Sequence, residues 1–327
     1  MNKNRTKSPF PWTSVSVLLF TAAVLTASVI IYSRGQKERI LRDAVTEMDA
    51  VANLKSAQVA EWKRERLNDA TLIHENVTLV EHIDAMFIRD DPRREKSRLI
   101  QLLTTLIDNY DFRGAVLVNA GGKPGIAVPE SEAIMGENLR SNVTKAISNP
   151  VISISDFHTA TVVSYLHLDL LIPMKMPYEG DTVLAGVLVL RIDPEKELFP
   201  MLSTWPTPGR TAECILFRFE GDSVIYLNGS RLAGFDKAVT LATTDMELSV
   251  LTPQSEVKET RIFRDYTGAE VVASVKKVPG SDWYLIAKKE APEILERFMR
   301  EITMLWMIMG FVYLALASLA YLIIKAT

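Results

Sequence analysis

The sequence predicts an α+β protein, with one long N-terminal helix and two tandem α/β modules built on antiparallel five-stranded sheets, set between two transmembrane helices. Three observations carry this. Uncharged apolar runs lie near both ends, an unbroken helical stripe follows the first, and an order of two strands, a helical stretch and three strands then occurs twice.

The 327 residues are enough for two modest domains with cores. Thr13 to Ser33 carries no charged side chain, and neither does Ile302 to Ile324. At about 1.5 Å per helical residue, each run crosses a hydrocarbon layer of about 30 Å. The first is longer than a cleaved signal's apolar core and reads as an anchor. Trp306 and Tyr321 sit near the two ends of the second, as interfacial residues do. Ala23 and Ala27 supply small residues at four-residue spacing in the first, which permits close helix contact.

Lys3, Arg5 and Lys7 meet no acidic residue in the N-terminal tail, so the positive-inside rule puts residues 1–11 in the cytoplasm. Transmembrane helices over 12–33 and 302–324 then return 325–327 to the same side. They leave 34–301 outside the cytoplasm, on a two-pass protein. That middle holds 33 of the 37 Lys and Arg and all 40 Asp and Glu, so it is mildly acidic and nothing suggests nucleic-acid binding. Cys214 is the single cysteine, which excludes an internal disulfide and leaves stability to the core.

After the first span, Leu41, Val45, Met48, Ala52, Val59 and Trp62 form an apolar stripe at helical spacing, with no proline and only Gly35 to interrupt it. One helix to about residue 73 follows, then shorter helices near 77–88 and 95–109. At Arg113 the texture changes. Two strands flank the Gly-rich turn in "GAVLVNAGGKPGIAV", a helix covers about 137–148, and "VISISDFHT", "TVVSYLHLDLLIPM" and "TVLAGVLVLRID" are three more strands. "WPTPGR" cannot be helical and stiffens the joint. Beyond it "ECILFRFEGD" and "SVIYLN" pair, 231–246 has helical potential, and three strands follow, with tight turns at 266–268 and 279–280. A last helix from Pro292 enters the second span.

Several phrases carry a resemblance over about residues 34–300: "AEWKRERLNDA", "ISDFH", "GVLVLRIDPEKELFPMLSTWPTPGRTAECILFRFEGDSVIYLN" and "DYTGAEVVASVKKVPGSDWYLIAKKE". The chain resembles the double Cache (dCache), PAS-like periplasmic sensory domains of transmembrane receptors of the sensor histidine kinase and diguanylate cyclase type. The resemblance implies periplasmic ligand binding in a signal-transduction protein of the cell membrane, a dimer along the long helix, and a membrane-distal module that binds. It divides the chain into a signalling helix and short helix (34–90), a distal module (91–204) and a proximal module (205–300). Such receptors continue into an output domain, whereas three residues follow the second span here. Either the sequence is the sensor half of a longer kinase or cyclase, or the output comes through a partner. The expected partners are a small molecule of unknown class, the bacterial inner membrane, a second copy and, in the second case, a separate cytoplasmic output protein. Amino-acid-binding relatives carry Arg-x-Trp in the distal module. This chain has no tryptophan between Trp62 and Trp205, which disfavours an amino acid held in that way.

Period-two geometry puts Ser164, Leu166, Leu168 and Leu170 on one face of their strand and Tyr165, His167, Asp169 and Leu171 on the other. The leucines are expected on the long helix and the polar face in a ligand cup. Asp156 and His158 share a face of the preceding strand, and Arg191 and Asp193 a face of the following one. These seven residues are the candidate ligand site; the competing reading is a solvated sheet face. Spacing does not mark the two histidines as metal ligands, and neither metal nor cofactor is expected. On the long helix, Trp62, Arg66 and Asp69 are placed to report the distal module's state, or to fill the core and pair Arg66 with Asp69.

Enzymatic patterns are absent. His74 lacks the second histidine of HExxH, His82 is eight residues away, "GGKPG" does not end as a phosphate loop does, and "NGSRLAG" is no nucleophile elbow. The expectation is a non-enzymatic sensor input; the rival is a structural or partner-binding membrane protein with a Cache-like ectodomain.

Overall fold

A computed structural model describes residues 12–87, 92–159, 165–178, 181–207, 209–221, 223–230, 239–242, 262–265 and 267–326. Helix α1 runs unbroken over Trp12–His74, 63 residues, because nothing in it interrupts the backbone ladder. Its stripe buries Met48, Ala52, Val59 and Trp62 in the order the spacing predicts. His74 Nδ1 meets the Pro173 carbonyl at 2.8 Å, pinning the far end. Helix α2 (Val77–Phe87) begins where Asn76 Oδ1 accepts the Leu79 N–H at 3.0 Å, satisfying a donor the helix leaves free. Helix α3 is Pro92–Tyr110, with Leu99 and Leu103 buried.

The first sheet contains β1 (Gly114–Asn119), β2 (Pro124–Val128), β3 (Ser153–Ile154), β4 (His158–Thr159), β5 (Leu166–Tyr178) and β6 (Asp181–Ile192). Its order is β2-β1-β6-β5-β3, with β4 also paired to β5, and every pairing is antiparallel. A 3₁₀ turn at Glu130–Ala133 and helix α4 (Glu137–Ser148) connect β2 to β3. On β6, Gly186 lies so close to β1 that a Cβ would stand 2.4 Å from the Val118 carbonyl oxygen, which no larger residue permits. Next comes the short helix α5 (Leu198–Ser203).

The second sheet runs β10 (Ile262–Arg264), β11 (Glu270–Lys277), β12 (Trp283–Glu290), β7 (Glu213–Glu220), β8 (Ser223–Tyr226), β9 (Val239–Ala242), again antiparallel. Helix α6 is Ala291–Ala326. Both sheets are thus six-stranded rather than five-stranded. One cause is that "VISISDFHT" breaks into two short strands; the other is that 239–242, expected in a helical connector, pairs with β8. The rest of that connector, Ser164, Pro208 and the tail 1–11 lie outside the described residues.

Two domains with cores of their own were expected, whereas among the described residues one apolar cluster joins both sheets. Leu168, Leu170 and Leu190 of the first sheet and Leu216, Leu285 and Ala287 of the second join a single apolar cluster along Val51, Ala52, Val59 and Trp62 of α1. The outer faces are separate: Leu139, Val143 and Ala146 of α4 cover Val116, Leu171 and Val189 in one. Phe217, Tyr226 and Ile286 belong to the other. The second sheet packs near Leu41, Ala44 and Met48, closer to the apolar start of α1 than the first. The apolar windows of α1 and α6 are only 6% buried, unlike core helices, and both are long enough to cross a membrane. Thr26 Oγ1 and Tyr313 Oη lie 2.5 Å apart between them.

The joint is tied down on both sides. Thr207 Oγ1 donates to Glu47 Oε1 of α1 at 2.7 Å. Glu293, in the first turn of α6, accepts from the Arg210 and Thr211 N–H groups at 2.9 and 2.8 Å. A carboxylate is favoured at that helix end.

Candidate functional site

The site begins with register. β4 and β5 pair so that His158 stands opposite His167, and β5 and β6 pair so that Asp169 stands opposite Arg191. Strand pleating then turns His167, Asp169 and Arg191 to the same face, under the N-terminal end of α4. His167, Asp169 and Arg191 are fully buried, and the His158 side chain is 9% exposed.

Polar contacts within this group are close but incomplete. His158 Nε2 lies 3.1 Å from Asp169 Oδ2, His167 Nε2 lies 3.9 Å from Oδ1, and Arg191 Nε lies 3.8 Å from Oδ1. The last two are too long for hydrogen bonds and the first lacks the geometry of one, so both histidine Nε2 atoms, both Asp169 oxygens and Arg191 Nε are buried without a partner. Buried polar groups are paired in the great majority of cases, so five unmatched atoms at one place mark it as unusual.

Arg191 is held from behind. Its guanidinium pairs with Glu132 of the 3₁₀ turn, which also accepts from the Tyr165 hydroxyl at 2.9 and 3.0 Å. Burial, and then the adjacent Glu132 carboxylate, push the Tyr165 phenol up to about 12, so it remains a donor. Arg113 stacks over the Tyr165 ring at 3.5 Å and bonds Asp193 Oδ2 at 2.7 Å. Burial pushes His167 below the ordinary histidine range, although Asp169 acts in the opposite sense.

A cavity of about 120 Å³ opens onto the cluster, lined by Gly136, Asn138, His158, Thr159, His167 and Arg191, among others. Of the seven sequence candidates, three line it, His158, His167 and Arg191, and Asp169 lies against His158 at 3.1 Å. Tyr165 stands one contact behind. Asp193 lies just past the end of β6, where it caps the Glu195 N–H at 3.0 Å and reaches the group only through Arg113 and Tyr165.

Asp156 does not join the group. Alternation would set it beside His158, but 155–157 form no strand, and the Ser155 hydroxyl accepts the Asp169 N–H at 2.8 Å instead. Asp156 therefore turns the other way, accepting the Trp283 Nε1–H at 3.0 Å and pairing with Arg218. The polar strand face also continues into Leu171 beneath α4, so it is a covered layer and not an open cup.

On α1, Trp62 is buried and donates from Nε1 to Glu197 Oε2 at 2.9 Å. Arg66 Nε lies 3.5 Å from Asp69 Oδ2, with NH2 3.9 Å from Glu197. Trp62 and Arg66 thus meet the start of α5, with Asp69 behind Arg66, and none of the three lines the cavity. Glu132, Arg113 and Glu197 escaped the sequence reading because they lie in turns or isolated positions with no period to single them out. The only available signal was an acidic pair within "PESEA".

No protein-family model matches the chain, and no curated protein matches it. Among solved structures, it is similar to the ligand-binding domain of the Campylobacter jejuni chemoreceptor Tlp3 in complex with L-norvaline. That similarity has 13% identity and a TM-score of 0.49, over 78% of this chain and 94% of that one. It is similar to the ligand-binding domain of the Pseudomonas fluorescens chemoreceptor CtaA with L-isoleucine, at 16% identity and TM-score 0.47, over 80% and 98%. It is also similar to the ligand-binding domain of the Pseudomonas aeruginosa amino acid chemoreceptor PctB in complex with L-Arg, at 17% identity and TM-score 0.43, over 76% and 94%. These are likenesses of chain path alone.

Proposed function

We propose that this chain is a membrane-anchored extracytoplasmic sensor of a small solute. Residues 91–204 are the ligand module, 205–300 the relay, and the long helices carry the change to the bilayer. The observation that carries the reading is the buried, under-bonded group of His158, His167, Asp169 and Arg191 beside the 120 Å³ cavity. Such a group costs stability when empty and gains it when a ligand supplies the missing partners. A relay is available: Asp156, two residues from His158, grips Trp283 and Arg218 of the second sheet, and Glu293 ties the joint to α6.

In this reading α1 and α6 cross the membrane with both termini cytoplasmic, residues 34–301 lie outside, and two copies pair along α1. A coupling of about 1–3 kcal/mol between site and membrane helices suffices for a useful response. The test is thermal unfolding of the full chain in lipid nanodiscs across a library of small solutes and ions. A stabilising ligand whose effect disappears in Asp169→Asn is expected. No stabilisation by any member, or one untouched by that substitution, would defeat the proposal. Proteolysis of intact and opened cells tests orientation, and cleavage of 34–301 from the cytosolic side would overturn it.

A further inference from the structure

We propose that His158, His167 and Asp169 form a binding site for a divalent transition-metal ion of the zinc class, which deepens the sensing proposal by naming the ligand of that same cavity. The argument starts from proton positions. His158 Nδ1 lies 2.9 Å from the Asp156 carbonyl oxygen, and His167 Nδ1 lies 3.1 Å from that of Tyr165. A carbonyl only accepts, so each Nδ1 carries the proton, and the neutral ring then presents a bare Nε2 lone pair. Both Nε2 atoms point into the group, where Asp169 adds two oxygens with no donor among the described residues. Four acceptors thus converge, and the one unmatched donor beside them, Arg191 Nε, stands 3.8 Å from Asp169 Oδ1, beyond hydrogen-bond reach. A cation resolves this.

Histidine ligands of metals characteristically donate their other ring N–H to a backbone carbonyl or carboxylate, which fixes the tautomer. Both rings here are already held that way. One ligand atom from each of the three residues lies within 4.8 Å of the others. Bonds of about 2.0 Å in a tetrahedral site put ligand atoms about 3.3 Å apart. His158 Nε2 lies 3.1 Å from Asp169 Oδ2 and His167 Nε2 lies 3.9 Å from the other oxygen, Oδ1, so each ring stands near that spacing from one oxygen of the carboxylate. Imidazole with carboxylate suits zinc and its neighbours better than calcium or magnesium, which take oxygen.

Charge also permits it. Arg191 is the nearby cation, but its pairing with Glu132 offsets it, leaving the Asp169 charge for the metal. Three protein ligands leave one coordination position open, and it faces the cavity. A water occupies about 30 Å³, so 120 Å³ holds an ion with a few waters or one small anionic donor. Arg191 and the N-terminal end of α4 on the wall favour the anion.

The full chain, stripped with EDTA in detergent micelles, is titrated with Co²⁺ and followed by its visible absorption. One ion per chain, displaced by Zn²⁺, is expected, and His167→Ala should weaken binding more than about a hundredfold, beyond the loss typical of outer-shell changes. If that variant loses its circular dichroism, His158→Gln, on a two-residue strand, decides: weakened uptake sustains the site and unchanged uptake overturns it. No stoichiometric uptake also overturns it. A solute that stabilises the metal-free chain, with no metal uptake, overturns the metal site and leaves the sensing proposal standing. Metal uptake that leaves hydrogen exchange at 283–290 unchanged sustains the site and defeats the sensing proposal instead.

Discussion

Asp156, in the break between β3 and β4, accepts the indole N–H of Trp283 of the second sheet at 3.0 Å, while the Phe157 ring beside it packs tilted against the same indole with centroids 4.8 Å apart. This is a polar bond next to an apolar one, and it joins the strand that carries His158 to the strand that leads into α6. Asp156→Ala removes the acceptor and leaves the indole donor buried, a cost of about 1–3 kcal/mol. We expect ligand stabilisation of the first sheet to persist and its effect on hydrogen exchange in 283–290 to vanish. Persistence of both would show that another path carries the coupling.

Arg191 and Glu132 form a buried pair, so removing one partner strands the other. Arg191→Met is expected to destabilise by about 3–5 kcal/mol, measured by denaturant unfolding of the full chain in micelles. Replacing both residues with apolar side chains should recover most of that loss. A double variant no better than the single one would refute the pairing as the cause.

Asp265 and Glu293 are two carboxylates whose partners are lost in acid. Burial pushes Asp265 upward, but the Lys288 ammonium and the Thr267 hydroxyl outweigh it and hold the carboxyl below the usual range. Glu293 is likewise lowered, with Thr211 and two backbone N–H groups outweighing burial. A depressed folded pKa contributes stability that is complete above the unfolded value, near 4, and is lost as pH falls through the folded one. Stability of the second sheet and of the start of α6 should therefore decline below about pH 4. Asp265→Asn, already lacking that contribution, should show a shallower decline.

Thr26 and Tyr313 meet between the two apolar helices. Hydrogen bonds in such settings are modest, averaging about 0.6 kcal/mol in double-mutant cycles. The cycle of Thr26→Val with Tyr313→Phe, read from unfolding in bicelles, should return a coupling of that order. Zero coupling would mean the helices do not pair at this point.

Local pattern carried much of the fold. The 63-residue α1, the helices near 77–88, 95–109 and 137–148, and most strands were legible because side-chain period and the absence of breakers act within a few residues. Leu168 and Leu170 packing on α1 followed from the same alternation. The break at 155–157 was not legible, because the hydrogen bond that causes it comes from Asp169, fourteen residues away.

What the sequence alone determined, then, is the architecture: two apolar rods, a continuous stripe between them and two sheet modules, each written in neighbouring residues. What only the tertiary structure decided is company. Pairing of β4 with β5 set His158 against His167, pairing of β5 with β6 set Asp169 against Arg191, and a turn brought Glu132 behind them. Those choices depend on register and on groups far apart in the chain, and a one-residue slip in any ladder would have turned the same side chains to the opposite face.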